Sequence, residues 1–337
     1  MENLFFNKSI NILIYTLYLS NITLIDIDEP KEQMTVIMEL VQSWKDVRLR
    51  WERQNWSDIT SIFTRLDKIW SPPLMVFGAS EVVQHRDQVS RMARIDHRGV
   101  VDSHIPLKMT TNCNMNMAEF PFDNQICEIQ IGLPSFYASQ FEIFLQVPQD
   151  IAQSCELGNS AWHVIDIIID SEKIRPKDYM TDVIKTAVLK LHLKRNPMYY
   201  MYMIVLPTFI INGISMAGVF WESGEKMERL TIGLTHIMTL TFILGIIADK
   251  LPKTAVIPLL GKYIIFGLVT MIFAMIFSTN LDKLSISKFG GKRYKKTHNQ
   301  LRGFFIISFQ FINWLGTIYV LWRFMDFEET FGDKKCF

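Results

Sequence analysis

Glu228, Thr231, Thr235, Met238, Phe242, Ile246 and Asp249 recur at every third or fourth position through one otherwise apolar stretch. At helical spacing they share a single face. A carboxylate stands at each end of that face, two hydroxyls follow the first acid, and large apolar groups lie between. Carboxylates attract cations, hydroxyl oxygens replace part of an ion's water shell, and apolar side chains close a narrow path by dewetting. This is chemistry for guiding ions rather than for making bonds. The alternative is that Thr231 and Thr235 bond only their own helix or a neighbour, as hydroxyls in membranes do. His236 lies off the face and reads as an interhelical contact or as a pH modulator. Asn212, Gln310 and Asn313 read as interhelical hydrogen-bonding groups.

Bond-breaking chemistry finds no support. The chain has no HExxH, Gly-x-Ser-x-Gly or phosphate-cradling glycine loop, and its seven histidines form no metal-ligand spacing. No enzymatic activity, cofactor or metal is expected. A formal net charge of +1 over 337 residues gives no reason to expect a nucleic-acid partner.

The elements that must hold the acidic and hydroxyl face are legible. Tyr199–Trp221, Leu230–Ala248, Ile264–Leu281 and Gly303–Trp322 are 18 to 23 residues long and contain no Asp, Glu, Lys or Arg. A helix needs about 20 such residues to cross the hydrocarbon core of a bilayer. Pro207 falls inside the first run, which neighbouring helices can accommodate. Asp282–Arg302 holds seven basic residues (Lys283, Lys288, Lys292, Arg293, Lys295, Lys296, Arg302) against one acid, which predicts a short cytoplasmic loop at 282–302. Residues 1–197 are then expected outside, 198–325 as a four-helix membrane domain surrounded by lipid, and 326–337 as an outside tail. Sequons at Asn7, Asn21 and Asn55 agree with that orientation. Ile10–Leu19 reads as a first strand, with the core of a signal peptide as the alternative. As a strand it would imply a start further upstream.

The outer half reads as short strands with turn punctuation. Thr35–Val41, Phe141–Val147, His163–Ile169 and Val183–Leu193 are rich in Val, Ile, Leu and Phe, and Asp, Pro, Gly and Asn clusters separate them. With no long helical period, a β-sandwich is expected. Four cysteines are present. Outside the cell Cys113 and Cys127 are natural disulfide partners, closing a loop of about 15 residues and removing roughly 3 kcal/mol of unfolded-chain entropy. Phe120-Pro121-Phe122-Asp123 lies between them, and its proline predicts a tight turn, with a cis bond as one way to make it. Cys155 and Cys336 read as free thiols or as partners elsewhere.

Together these features resemble the Cys-loop family of pentameric ligand-gated ion channels, on its nicotinic-receptor-like side. The likeness runs from about Thr23 to Trp322. It includes Trp44-Lys-Asp46-Val-Arg48-Leu49-Arg-Trp51, Trp70-Ser-Pro72, Asn159-Ser-Ala-Trp162, Arg195-Asn-Pro197, and Pro252 with Pro258-Leu-Leu-Gly-Lys-Tyr263. The resemblance implies a homo- or hetero-pentamer of related subunits in the plasma membrane, with a postsynaptic setting. It also implies a neurotransmitter-like small-molecule site between outer domains and a pore lined by the second span. Five copies of the acidic and hydroxyl face would then make two acidic rings, a polar throat and an apolar constriction.

Anchored on Pro252, Glu228 takes the place of the acidic ring at the cytoplasmic mouth. Family members that pass anions carry Pro-Ala before the following Arg, whereas Glu228 directly precedes Arg229, so permeating cations are expected. The resemblance places Glu29, Pro121, Phe122, Asp123 and Arg195 where the outer domain meets the linker of Lys250, Leu251, Pro252 and Lys253. It suggests an ion pair between Glu29 and Arg195.

The agonist site departs from the family pattern. Pro73 replaces an Asp, Phe77 a Tyr and Pro134 a Trp, which leaves Phe136 and Tyr137 nearby. No adjacent cysteine pair precedes Arg195, and Tyr179 is the third-loop candidate. Glu39 aligns with a ligand-contacting Trp. Trp44, Trp51, Trp70 and Trp162 read as sandwich core. The implied ligand is a small amine. The rival expectation is a non-conducting accessory subunit of a hetero-pentamer.

Overall fold

The computed structural model describes residues 13–84, 91–136, 139–148, 157–174, 184–220, 226–287 and 292–331. Cys155, Cys336, Tyr137, Tyr179 and the Asn7 sequon lie outside them. The chain divides into two compact units. The first is Met1–Met115 with Asn124–Lys194, and the second is Asn116–Asp123 with Arg195–Phe337.

The first unit is built from two sheets. β1 (Leu13–Asp28), β2 (Gln33–Lys45), β3 (Ser61–Arg65), β5 (Ala79–Gln84), β6 (Met92–Asp96), β7 (Val100–Asn112) and β9 (Phe141–Gln146) form one sheet. Its order is β3-β6-β7-β2-β1-β9, with β5 also paired to β7. β4 (Met75–Phe77), β8 (Asn124–Gly132), β10 (Trp162–Ile174) and β11 (Ile184–Arg195) form the other, in the order β10-β11-β8-β4. The expected strand from Ile10 is present from Leu13 and runs on to Asp28.

Side-chain alternation explains the pairing. In β2, Met34, Val36, Met38, Leu40, Gln42 and Trp44 are buried while Glu39 is exposed. Slipping the register by one residue would turn that apolar set to water, so the hydrophobic pattern fixes it. β7 alternates in the same way through Val101, Ile105, Leu107 and Met109, and it pairs with β2 from Asn112 to Val100. Each large apolar side chain fully buried contributes about 1.5–3 kcal/mol. Trp44 and Trp162 are buried core residues, as expected, whereas Trp51 and Trp70 are only half buried. Tyr15 donates to the buried Gln42 Oε1 at 2.8 Å, and burial pushes its phenol pKa up, so it stays a donor.

One turn shows how tightly the first unit closes. The Asp46 N–H donates to the Gly99 carbonyl at 2.8 Å, and the Trp51 N–H donates to the His97 carbonyl at 3.1 Å. Gly99 has φ +80°, and a Cβ there would overlap the Asp46 carbonyl oxygen, so only glycine fits. Hydrogen bonds from the Arg48 guanidinium hold the Asp46 carboxyl below the usual carboxylate range, with Nη2 to Oδ2 at 2.6 Å.

Cys113 and Cys127 are joined as a disulfide between the end of β7 and β8. The Cys113 N–H donates to the Glu32 carbonyl at 2.8 Å, anchoring the bond beside the β1–β2 turn.

The second unit contains four helices long and apolar enough to cross a membrane. They are α1 (Met198–Val219), α2 (Lys226–Lys250), α3 (Leu259–Ser287) and α4 (Lys292–Phe331). α1 widens to a π turn over Met201–Val205, around Met203, whose carbonyl the N–H-less Pro207 cannot satisfy. α2 packs on α1 and α3, and α4 packs on the same two helices. At Gly233 an added Cβ would overlap the Met275 sulfur, so a residue without a side chain sets how closely α2 and α3 approach. Within 282–302, where a loop is expected, α3 continues to Ser287 and α4 begins at Lys292, while the apolar spans end at Asn280 and resume at Gln300. α4 likewise runs past its apolar span, which ends at Met325, to Phe331. Lys, Arg, Gln and Leu propagate helices well, so loss of apolar character did not end them.

Replacing both Cys113 and Cys127 by serine should cost roughly 3 kcal/mol. A lowered melting temperature of the purified full chain, matched by wild type after reduction, is the expected result.

Candidate functional site

Two groups of candidate side chains belong to the second unit. The first is the segment between the disulfide cysteines together with the start of α1. Phe120–Pro121 is cis, and the Phe122 N–H donates to the Glu119 carbonyl at 2.8 Å, so the segment turns tightly. Arg195, the last residue of β11, places Nε 2.8 Å from Asp123 Oδ1 and Nη2 3.4 Å from Oδ2. Both side chains are 1% exposed. The Arg195 N–H also donates to the Asp123 carbonyl at 3.3 Å.

Aromatic rings complete the cage. The guanidinium carbon lies 4.8 Å from the Phe120 ring centre and 5.7 Å from that of Tyr200. The two rings meet edge to face at 4.7 Å. A desolvated guanidinium gains from such ring faces as well as from its carboxylate. The expected partner of Arg195, Glu29, belongs to the first unit.

Other contacts hold the same segment and were not anticipated. Glu119 accepts a hydrogen bond from Arg323 Nη2 at 2.6 Å, the Leu260 N–H donates to the Phe120 carbonyl at 3.1 Å, and Phe122 packs on Phe324 at 6.4 Å. A basic residue directly after the last apolar run was the available sequence signal for Arg323. In the linker after α2, Leu251 and Pro252 are buried, while Lys250 and Lys253 are exposed.

The second group lies on α2. Gly233, His236, Leu240 and Ile247 are buried against the neighbouring helices, whereas Glu228, Thr231, Thr235, Met238, Phe242, Ile246 and Asp249 are all exposed. Met238 and Phe242 are 72% and 69% exposed, too much for apolar residues without a partner in this unit to be core. Thr231 Oγ1 donates to the Met227 carbonyl at 2.8 Å. Its proton is therefore used within the helix, and its lone pairs are what it offers outward. Arg229 points elsewhere, with Nη1 3.5 Å from Ser278 Oγ on α3. Asn212 and Asn313 bond at 3.2 Å between α1 and α4, and Gln310 lies beside Gly213.

The ligand candidates separate by sheet. Phe77 ends β4 in the four-stranded sheet and covers Gly132. Phe136 meets Trp70 at 6.4 Å and Phe141 at 6.2 Å, both edge to face. Glu39 lies in the seven-stranded sheet, exposed, between Asn21 of β1 and Pro106 of β7. The structure therefore does not gather these three residues within one chain, and Tyr137 and Tyr179 fall outside the described residues.

Comparison with known proteins agrees with this geometry. Residues 7–197 match the neurotransmitter-gated ion-channel ligand binding domain, and residues 204–296 match the neurotransmitter-gated ion-channel transmembrane region. The proton-gated ion channel subunit pbo-6 of Caenorhabditis elegans is 26% identical over 79% of this chain and 63% of its own length. The neuronal acetylcholine receptor subunit alpha-2 of Gallus gallus is 27% identical over 78% of this chain and 49% of its own. The alpha-4 subunit of Homo sapiens is 26% identical over 76% and 40%. The chain thus spans between 40% and 63% of the length of these relatives.

Removing one partner of the Asp123–Arg195 pair leaves a buried, uncompensated charge. Asp123→Asn or Arg195→Gln should each cost about 3–5 kcal/mol, and the double variant less than their sum. Melting temperatures of the four full-length proteins measure the cycle, and strict additivity would deny the coupling.

Proposed function

This chain belongs to the neurotransmitter-gated ion-channel family, and we propose that it is a subunit of a pentameric, cation-selective channel of the plasma membrane, opened by a small extracellular amine. The exposed face of α2 carries the proposal. Its carboxylates, hydroxyls and apolar side chains lie away from α1 and α3, where neighbouring copies can enclose them around water. In five copies, Glu228 forms the ring that concentrates cations. Thr231 then offers oxygen lone pairs to a partly dehydrated ion, and Met238, Phe242 and Ile246 form the constriction that closes by dewetting.

The basic residues between Lys283 and Arg302, most of them in the first turns of α4, set the orientation, with the two-sheet unit outside. The agonist enters between adjacent outer units, and Glu39 faces it from one side while Phe77, Phe136, Tyr137 and Tyr179 supply the other. Acetylcholine receptor subunits among the relatives support a cationic ligand. The segment from Glu119 to Asp123, continued by β7 and β8, carries the agonist signal toward the linker of Lys250 and Pro252. Glu29 serves there as a second carboxylate for Arg195, which the same double-variant cycle with Glu29→Gln tests.

A second reading is a non-conducting or accessory partner subunit of a hetero-pentameric receptor. It is favoured by Glu39 standing in the sheet face where an aromatic side chain would stack on a quaternary ammonium.

Currents from cells expressing the chain, with a panel of amines applied, test the main reading. An evoked current whose reversal potential follows sodium is expected, and Glu228→Gln should reduce cation preference several-fold at unchanged surface expression. A current that follows chloride, or Glu228→Gln without effect, would refute the cation assignment. Silence at confirmed surface expression would favour the accessory reading.

A further inference from the structure

His236 is the one ionisable side chain that is fully buried on the membrane-spanning part of α2 among the described residues, at 2% exposure. It shares the inward face with Gly233, Leu240 and Ile247. Nδ1 lies 3.0 Å from Ser215 Oγ of α1, while Nε2 has no hydrogen-bond partner among the described residues. We infer that His236 is a proton-binding site inside the helix bundle, and that its protonation loosens the contact between α2 and α1.

A neutral imidazole fits this position, because Ser215 can serve Nδ1 as donor or acceptor. An imidazolium does not fit it. Both ring nitrogens then carry N–H groups, Nε2–H has no acceptor among the described residues, and a full charge stands inside the bundle with no carboxylate among the described residues bonded to it. The other charged groups are remote. Leu206–Val219 of α1 contains no ionisable residue. On α3, Lys262 and Tyr263 lie near its first turn, and Asp282 and Lys283 lie toward its last turns. On α2 itself Glu228 and Arg229 stand at one end, with Asp249 and Lys250 at the other.

Protonation therefore favours arrangements in which Nε2 meets water. Such an arrangement is near at hand, since Thr235, one residue back, already belongs to the exposed stripe and successive positions differ by about 100° around a helix. By linkage, the state with the greater proton affinity gains population as pH falls, by up to about tenfold per pH unit between the two affinities. The sign is fixed: acid opens the α1–α2 contact and base closes it.

Hydrogen–deuterium exchange of the purified full chain in lipid nanodiscs tests this without requiring ion conduction. Amide exchange is compared at about pH 7.5 and about pH 5.5, the range in which histidine titrates, after correction for intrinsic rates. Wild type should lose protection several-fold across α1 and α2 at the lower pH, and His236→Gln should abolish that response. Ser215→Ala, which keeps the imidazole, should retain it. If His236→Gln fails to elute with the wild-type oligomer, the apolar pair His236→Phe with Ser215→Ala replaces it and should likewise be unresponsive. Wild-type protection that does not change with pH, or an acid response surviving in the chain without His236, would overturn the assignment.

Discussion

A bilayer's hydrocarbon offers no water to a carboxylate, a hydroxyl or an unpaired backbone group, so every polar atom there must be satisfied by protein or by a water-filled space. The four helices meet the first demand through their own backbones. Inside the bundle several polar side chains meet it pairwise, as Asn212 does with Asn313, Tyr263 with Thr317 and Ser278 with the Val219 carbonyl, whereas Thr208 Oγ1 and His236 Nε2 have no partner among the described residues. Gly267 of α3 leaves room for the Asn212 amide, which a Cβ there would approach to 3.0 Å. The outward face of α2 is different. It keeps Glu228 and Asp249 at its ends and a hydroxyl whose proton is already donated, on the side that α1 and α3 do not cover. Lipid would leave the carboxylates at the ends of that face unsolvated, which supports the shared aqueous path proposed for it.

The segment between the cysteines is governed by a different balance. Burying Arg195 and Asp123 at 1% exposure carries a desolvation cost, which their fork-like contact and the flanking rings of Phe120 and Tyr200 offset. Such a pair is a weak source of stability and a strong determinant of geometry, because any arrangement that separates it strands a charge. Its two residues are continuous with β8 and β11, and Glu119 and Phe120 of the same segment bond to α4 and α3. The segment proposed to carry the agonist signal is thus covalently continuous with β8, and Arg195 is the last residue of β11.

Much of this was legible before any coordinates. Uncharged runs of membrane length marked the four helices, and helical spacing alone put the seven residues from Glu228 to Asp249 on one face. Strands rich in Val, Ile and Leu, such as β9 and β11, stood out, whereas β7 did not. Its outward positions are Asp102, His104, Pro106 and Lys108, and only the alternate residues carry the core, so no apolar run announces it. The helical extensions at 282–287 and 292–302 were read as loop because hydropathy reports where lipid ends, not where a helix ends. The Asp123–Arg195 pair was hidden by a separation of 72 residues, and Glu119 with Arg323 by one of 204. Sequence spacing carries no signal for contacts that only the fold creates. The ligand candidates were the least legible, because Phe77 and Glu39 lie in different sheets and Tyr137 and Tyr179 lie outside the described residues.

The most direct test of the account is a cysteine scan of α2, read by labelling the assembled protein with a charged, membrane-impermeant thiol reagent. The account predicts labelling at Thr231, Thr235, Met238, Phe242 and Ile246, and protection at Gly233, Leu240 and Ile247, so that reactivity repeats with the helical period. Reactivity confined to the opposite face, or uniform protection of the stripe in an assembled protein, would contradict an aqueous path along α2.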